Sequence, residues 1–307
     1  MNALFAELGI LVFERGWLSS NNVLFASDAD TETLLVDTGY ASHAAQTVAL
    51  VRNALGHRTL NRIVNTHLHS DHCGGNHALQ QAFCCAIDVP SGEVEKVDAW
   101  DEDALSFRAT GQSCPPFRRS GSVAAGDVLD RGNSHWRVLP APGHDPHSVT
   151  LYEPDAQVLI SADALWSNGF GVVFPEIAGE PGFDDVRRTL EMLANLAVRW
   201  VIPGHGVPFA DFEAALARAF KRLRGLAADP AKHARHAAKV LIKFHLLEMQ
   251  SCTRDQLDHW MDSVLYFEAI HRRHFMSISR RAWRIDLLND LIESRALGVD
   301  GHVIRNL

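Results

Sequence analysis

The 307-residue chain has no apolar stretch approaching twenty residues, so it predicts no membrane-spanning helix. Its first residues, Met1-Asn2-Ala3-Leu4-Phe5-Ala6-Glu7-Leu8, carry neither a basic start nor a long apolar core, and no secretory leader is expected from them. Cysteine is scarce: there are five, an odd number, with no pair at the spacing of a redox motif or a zinc knuckle. That usage argues against a disulfide framework and for a reducing, cytoplasmic setting. Positive charge is also short. With 29 Lys and Arg against 37 Asp and Glu the net charge is −8, which disfavours a nucleic acid partner. Apolar residues make up 47 % of the chain, enough to fill one large domain and a smaller one.

Imidazole, by contrast, is concentrated in one place. Thr66-His67-Leu68-His69-Ser70-Asp71-His72-Cys73-Gly74-Gly75 brings three histidines and an aspartate together within six residues. The preceding Leu60 to Asn65 reads as a short buried strand. Alternate side chains of an extended segment share a face, so His67, His69 and Asp71 are expected to converge while His72 turns elsewhere. Gly74-Gly75 are expected to let the backbone turn tightly, with a helix beginning over Asn76 to Gln81. Neutral imidazole and carboxylate together suit zinc, and four such side chains read as half of a metal site.

Three later segments repeat the pattern of an apolar strand ending in a metal-capable residue. They are Trp136 to His144, closing on Ala141-Pro142-Gly143-His144; Gln157 to Asp163; and Val198 to Gly206, closing on Pro203-Gly204-His205-Gly206. A lone His after a Gly is usually a loop residue. Three such strand ends in order along one chain predict ligands gathered on one rim of a sheet.

In this order the motifs resemble the metallo-β-lactamase superfamily over about residues 8 to 210. The resemblance implies an α/β fold, a four-layer αββα sandwich with a two-metal site. By that analogy His67, His69 and His144 hold one ion, Asp71, His72 and His205 hold the other, and Asp163 bridges both. Asp37, in Leu35-Val36-Asp37-Thr38-Gly39, matches the family's early Asp, which orients metal-binding histidines; on its own it also reads as a turn Asp before a Gly.

Two divalent ions are implied, zinc first, with iron or manganese served by the same nitrogen and oxygen donors. Ions bridged by a carboxylate can share a hydroxide, which attacks a carbonyl or phosphorus while the metals stabilise the developing oxyanion. Asp71 is expected to act as ligand and as catalytic residue, orienting the hydroxide proton. A bridging Asp163 resembles the glyoxalase II, lactonase and phosphodiesterase branches, whereas true β-lactamases of the superfamily usually carry Cys or Ser there. The expected function is a dinuclear metal-dependent hydrolase of a small ester, thioester or lactone. A metal-dependent phosphodiesterase or ribonuclease-like hydrolase is the alternative, and an iron-binding redox or sensor protein is a third reading.

Residues 1–210 are expected to form the catalytic domain and 211–307 a mainly helical second one. The latter carries 16 basic against 12 acidic residues, the former 13 against 25. Helical spacing recurs at Phe212, Leu216, Phe220 and Leu223, again at Leu257, Trp260, Val264 and Ile270, and around Trp283, Leu287 and Leu291; Ala237 to Met249 reads as another buried helix. Ala296 to Ile304 reads as a hairpin turning at Asp300-Gly301. Helices followed by a hairpin suit either a winged-helix-like unit or a helical cap that shapes the pocket and meets a partner subunit, as in a homodimer. Arg272-Arg273-His274 and Arg280, Arg281 and Arg284 read either as a site for the anionic tail of a small-molecule substrate or as a solvated face paired to Asp286 and Asp290.

His77 and His147 are expected on the rim of the site, and Cys73 as a packing residue. Specificity is expected from residues 86 to 135 and 164 to 182, where Trp166, Phe170 and Phe174 either wall an apolar pocket or pack in the core.

Overall fold

The structure, a computed structural model, describes residues 1–26 and 32–307, without the Asn2 side chain. Short β-branched runs become the strands of two sheets. The first comprises β1 (Ile10–Phe13), β2 (Asn22–Phe25), β3 (Leu34–Val36), β4 (Arg62–Val64), β5 (Ala86–Pro90) and β6 (Gly121–Val123), in sequence order across the sheet. Its first three strands pair antiparallel and β3 to β6 run parallel. The second sheet has the order β11-β10-β9-β8-β7, made of β7 (Val128–Arg131), β8 (Ser134–Pro140), β9 (Val149–Glu153), β10 (Val158–Ala162) and β11 (Trp200–Pro203). Only β10 and β11 are parallel in it.

Alternation along each strand divides its side chains between two cores. In β4, Val64 faces inward and joins Val23, Phe25 and Val36 against Trp136, Val138, Leu151 and Ile160 of the second sheet. Ile63, one residue away, faces outward and packs with Val51 and Leu55 of the Ala44–Leu55 helix and Leu79 of the Asn76–Phe83 helix. On the far side, Tyr152, Leu159 and Val201 are covered by Val186, Leu190 and Leu193 of the Gly182–Leu193 helix. The layers therefore run helix, sheet, sheet, helix, as the resemblance implied.

The Phe212–Ala228 helix buries Phe212, Leu216, Leu223 and Leu226 in that same outer core. A different core begins with the Pro230–Met249 helix, where Asp229 accepts the Lys232 N–H and Pro230 opens the first turn. We therefore propose that the second unit starts at Asp229 rather than at residue 211.

Four helices make up that unit: Pro230–Met249, Arg254–Ser263, Leu265–His274 and Arg280–Glu293. The periodicity read from Leu257 to Ile270 is broken, because Val264 adopts an extended conformation between two of them. The expected hairpin forms from β13 (Leu297–Asp300) and β14 (Val303–Asn306). It gains a third strand, β12 (Ser251–Thr253), paired with β14. Among the described residues no helix is long and apolar enough to cross a membrane.

Candidate metal centre

Five connections at one rim of the sandwich carry the seven predicted ligands and Asp37, expected to orient them. Asp37 follows β3, His67 to His72 follow β4, His144 follows β8, Asp163 follows β10 and His205 follows β11. All eight side chains are buried. Three overlapping groups have donor atoms within 4.8 Å of one another: His67 with His69 and His144; His67 with His72 and Asp163; Asp71 with His72 and His205.

The extended reading of residues 67 to 71 does not hold. Ser70–Cys73 coils into one short helical turn capped by His69, so Asp71 and His72 both swing back toward the interior, and His72 joins the cluster instead of leaving it. The two glycines serve a purpose other than the one expected. Both have ordinary negative φ, but a Cβ on Gly74 would lie 2.5 Å from Ala41 N and one on Gly75 would strike Thr38 O. Their bareness lets this turn pack on the segment after β3, where Thr38 N–H donates to His72 O at 2.7 Å.

Hydrogen bonds fix which nitrogen of each ring faces the centre. His72 Nδ1 lies 2.7 Å from Asp37 Oδ2, leaving Nε2 buried without a partner. Asp37 is itself clamped by the Thr66 N–H and hydroxyl, both at 2.8 Å, and holds a left-handed φ of 57°. His144 Nδ1 lies 2.5 Å from the Val172 carbonyl, an acceptor only, so its Nε2 presents a lone pair. That lone pair stands 2.7 Å from His69 Nδ1. His67 Nε2 is buried and unpartnered as well. Buried nitrogens without partners are costly in a finished core and suit a divalent ion between them.

Asp163 lies between the groups. Its Oδ1 is 3.4 Å from His72 Nε2 and 3.9 Å from His205 Nε2, while Oδ2 is 3.4 Å from His144 Nε2. Trp166 Nε1–H donates to Oδ1 at 3.2 Å. Ala162, just before it, has a φ of 46° at an irregularity in the β10–β11 register, which turns the aspartate out of the strand. Asp71 Oδ2 is 3.0 Å from His205 Nε2.

Electrostatics follow from burial and neighbours. Burial holds His67 well below its usual value and brings His69 and His144 down to about 4, so all three are neutral donors. Burial also opposes charge on His72, but Asp163, Asp37 and Asp71 outweigh it and raise its pKa well above normal. Burial likewise works against ionised Asp163, and the surrounding histidines overcome it, His72 first.

A cavity of about 500 Å³ opens from this cluster. Trp17, 57 % exposed, stacks on His205 at its mouth. Trp166, Phe170 and Phe174 do line it, with Thr110 and Gln112 from the connection between β5 and β6 and Val240, Leu241, Phe244 and Leu247 from the Pro230–Met249 helix. The second unit is thus a cap over the pocket. The basic cluster of the tail does not reach the cavity. Arg284 and Arg280 pair with Asp262, and Arg273 donates to the Glu176 carbonyl. His77 bonds the Pro116 carbonyl and His147 faces Glu93, and neither joins a ligand group. Cys73 Sγ is buried 3.7 Å from Cys114 Sγ. Sequence reasoning missed Trp17, Arg222 and His236 on the cavity wall; as isolated polar or aromatic positions they carry no motif.

The site is also tied to the cap through one peptide. Val172 C=O receives the His144 hydrogen bond, and the next N–H, of Val173, donates to His233 Nε2 at 3.1 Å.

The sequence model of the metallo-beta-lactamase superfamily matches residues 15–205. The chain belongs to that superfamily. Over 116 residues it is 32 % identical to a hydroxyacylglutathione hydrolase of Hyphomonas neptunium, a match covering 38 % of each sequence. It is 27 % identical over 154 residues to the enzyme of that name from Rhodospirillum rubrum, covering 50 % of this chain and 52 % of the relative. The matches span about half or less of those relatives. A metallo-beta-lactamase family protein from Thermus thermophilus shares the fold, with a TM-score of 0.55, 21 % identity, and coverage of 97 % of this chain and 99 % of that one.

Proposed function

We propose that this superfamily member is a dinuclear metal-dependent hydrolase of small thioesters or related esters, with zinc as the first candidate ion. His67, His69 and His144 would hold one ion, Asp71, His72 and His205 the other, and Asp163 would bridge them. The observation that carries the reading is Asp163, whose two oxygens each lie 3.4 Å from a different inward-facing imidazole nitrogen, those of His72 and His144. The name of the partial relatives, hydroxyacylglutathione hydrolase, supports a thioester over a phosphodiester.

Bound there, divalent ions supply Lewis acidity toward a carbonyl oxygen and a nucleophile generated from water near neutral pH. The chain's own residues do the rest. Asp37 and the Val172 carbonyl hold the His72 and His144 rings by their Nδ1 atoms, so their Nε2 donors stay aimed inward. Asp71, ionised beside His205, offers a carboxylate oxygen at the edge of the cavity to orient and accept a proton. Trp17, Trp166 and Phe174 exclude water from the reacting carbonyl and give the acyl chain an apolar wall.

The test is elemental analysis of purified protein beside a substrate panel of thioesters, lactones and bis-nitrophenyl phosphate. Two ions per chain and turnover of thioesters are expected, with both lost in Asp163→Ala. One ion or none at saturating zinc, or turnover of the phosphodiester alone, refutes the reading.

A further inference from the structure

Most cations of the capping region have an acceptor. Arg235 and Lys239 share Asp290, and Lys243 Nζ is held by Ala296 O, Asn306 Oδ1 and Leu307 O. Arg222, on the Phe212–Ala228 helix, is different. It lines the same cavity as the ligand cluster, yet among the described residues no carboxylate lies within 4.0 Å of it. Its Nη2 lies 2.9 Å from His236 Nε2, its guanidinium stands 5.6 Å from the Phe170 ring centroid, and its Nε is buried without a partner. Burial and the adjacent arginine bring His236 down to about 4, so its ring is a neutral acceptor and supplies no countercharge. Arginine stays protonated in proteins, so a whole positive charge sits in a mainly apolar chamber with unused donors. An uncompensated charge there is costly, and a ligand that supplies the opposite charge removes the cost.

We propose that Arg222, backed by His236 and Phe170, is the subsite for a carboxylate carried by the substrate at the end of a short apolar segment. The inference rests on the hydrolase reading above and deepens it. Carboxylate is favoured over phosphate because one guanidinium balances one negative charge. A dianion needs a second set of free donors, and the three N–H groups of Lys243 are already engaged.

The test uses zinc-loaded protein and matched thioesters. Butyryl and succinyl esters of one neutral thiol place a methyl or a carboxylate on the acyl side. Butyryl esters of a neutral thiol and of 3-mercaptopropionate do the same on the leaving side. The wild type is expected to prefer the carboxylate member of one pair, and Arg222→Met to reduce that preference about 10- to 100-fold. The pair that responds tells which end Arg222 reads. Should Arg222→Met fail to fold, Arg222→Lys is expected to cut the preference by about tenfold through loss of the planar fork. If neutral thioesters are hydrolysed and neither pair is discriminated, or a phosphate-bearing thiol ester is preferred to both carboxylates, the inference is overturned and the hydrolase reading stands. If neither thioesters nor lactones are hydrolysed, the hydrolase reading fails. Calorimetry of hexanoate with metal-free protein then decides the subsite: binding weakened about tenfold or more by the Arg222 variant sustains it, and equal binding overturns it.

Discussion

Gly204→Ala isolates the packing that holds Asp163. A Cβ at position 204 would collide with Asp163 Oδ1 and stand 3.0 Å from both the Ala162 carbonyl carbon and His72 Cε1. Restoring ordinary contact with the carboxylate needs a shift of about 1 Å. Neither neighbour yields freely. Asp163 is buried and tied to Trp166, and Gly204 N–H itself donates to Ala162 O at 2.8 Å, locking β11 to the end of β10. Overpacking of this kind costs about 1–3 kcal/mol, which for a chain of this size lowers Tm by roughly 2–5 °C. The larger effect is expected on metal binding, with affinity about 10- to 100-fold lower, as when a group supporting a ligand is lost. Thermal denaturation of metal-free protein and zinc competition against a chromophoric chelator measure the two effects separately. Gly16→Ala, at a position with nothing within 4 Å of the added carbon, is the neutral control. If Gly204→Ala binds two zinc ions with wild-type affinity, Asp163 is not held where the metal argument requires it.

Two further substitutions probe the supporting groups. Asp37→Asn keeps a residue that tolerates the left-handed backbone but removes the charge beside His72 Nδ1; zinc affinity and kcat/KM are each expected to fall about 10- to 100-fold, and Tm is expected to drop by a few degrees because the amide turns a donor toward Thr66 or His72. His233 is 2 % exposed, and burial brings its pKa down to about 3. Its folded pKa is below the unfolded value of about 6.5, so the unfolded chain binds more protons. This contribution is full above about pH 6.5 and is lost as pH falls toward 3, amounting to about 2 kcal/mol already gone at pH 5. Urea titrations at pH 7 and pH 5 should show a smaller loss of stability in His233→Gln than in wild type; an equal loss refutes the assignment.

The strands and the metal-capable side chains at their ends were legible because burial on both faces writes itself as short runs such as Arg62-Ile63-Val64 and Trp200-Val201-Ile202, each ending abruptly in polar chemistry. The turn at Ser70–Cys73 was not, since a four-residue helix has too little local energy to declare itself. It is set by Gly74 and Gly75 packing on a distant segment, and a period-two reading therefore sent His72 the wrong way. The three-residue β12 exists only because β14, some fifty residues later, supplies its partner. The arginine-rich tail drew attention by density alone, and three of its members are held outside the cavity, Arg280 and Arg284 by Asp262 and Arg273 by the Glu176 carbonyl. Nothing in the sequence singled out Arg222, because the missing counter-ion that distinguishes it is a fact about three-dimensional surroundings.

The peptide joining Val172 to Val173 works as a shared hinge pin. Its carbonyl steadies a ligand histidine and its amide is gripped by the capping helix. Lifting the cap removes one of the two bonds that fix this peptide, so the support of His144 is expected to loosen with it. Escape of bound zinc to a chelator should therefore track the opening rate of residues 230–307, so that urea concentrations too low to unfold the sandwich already hasten metal release.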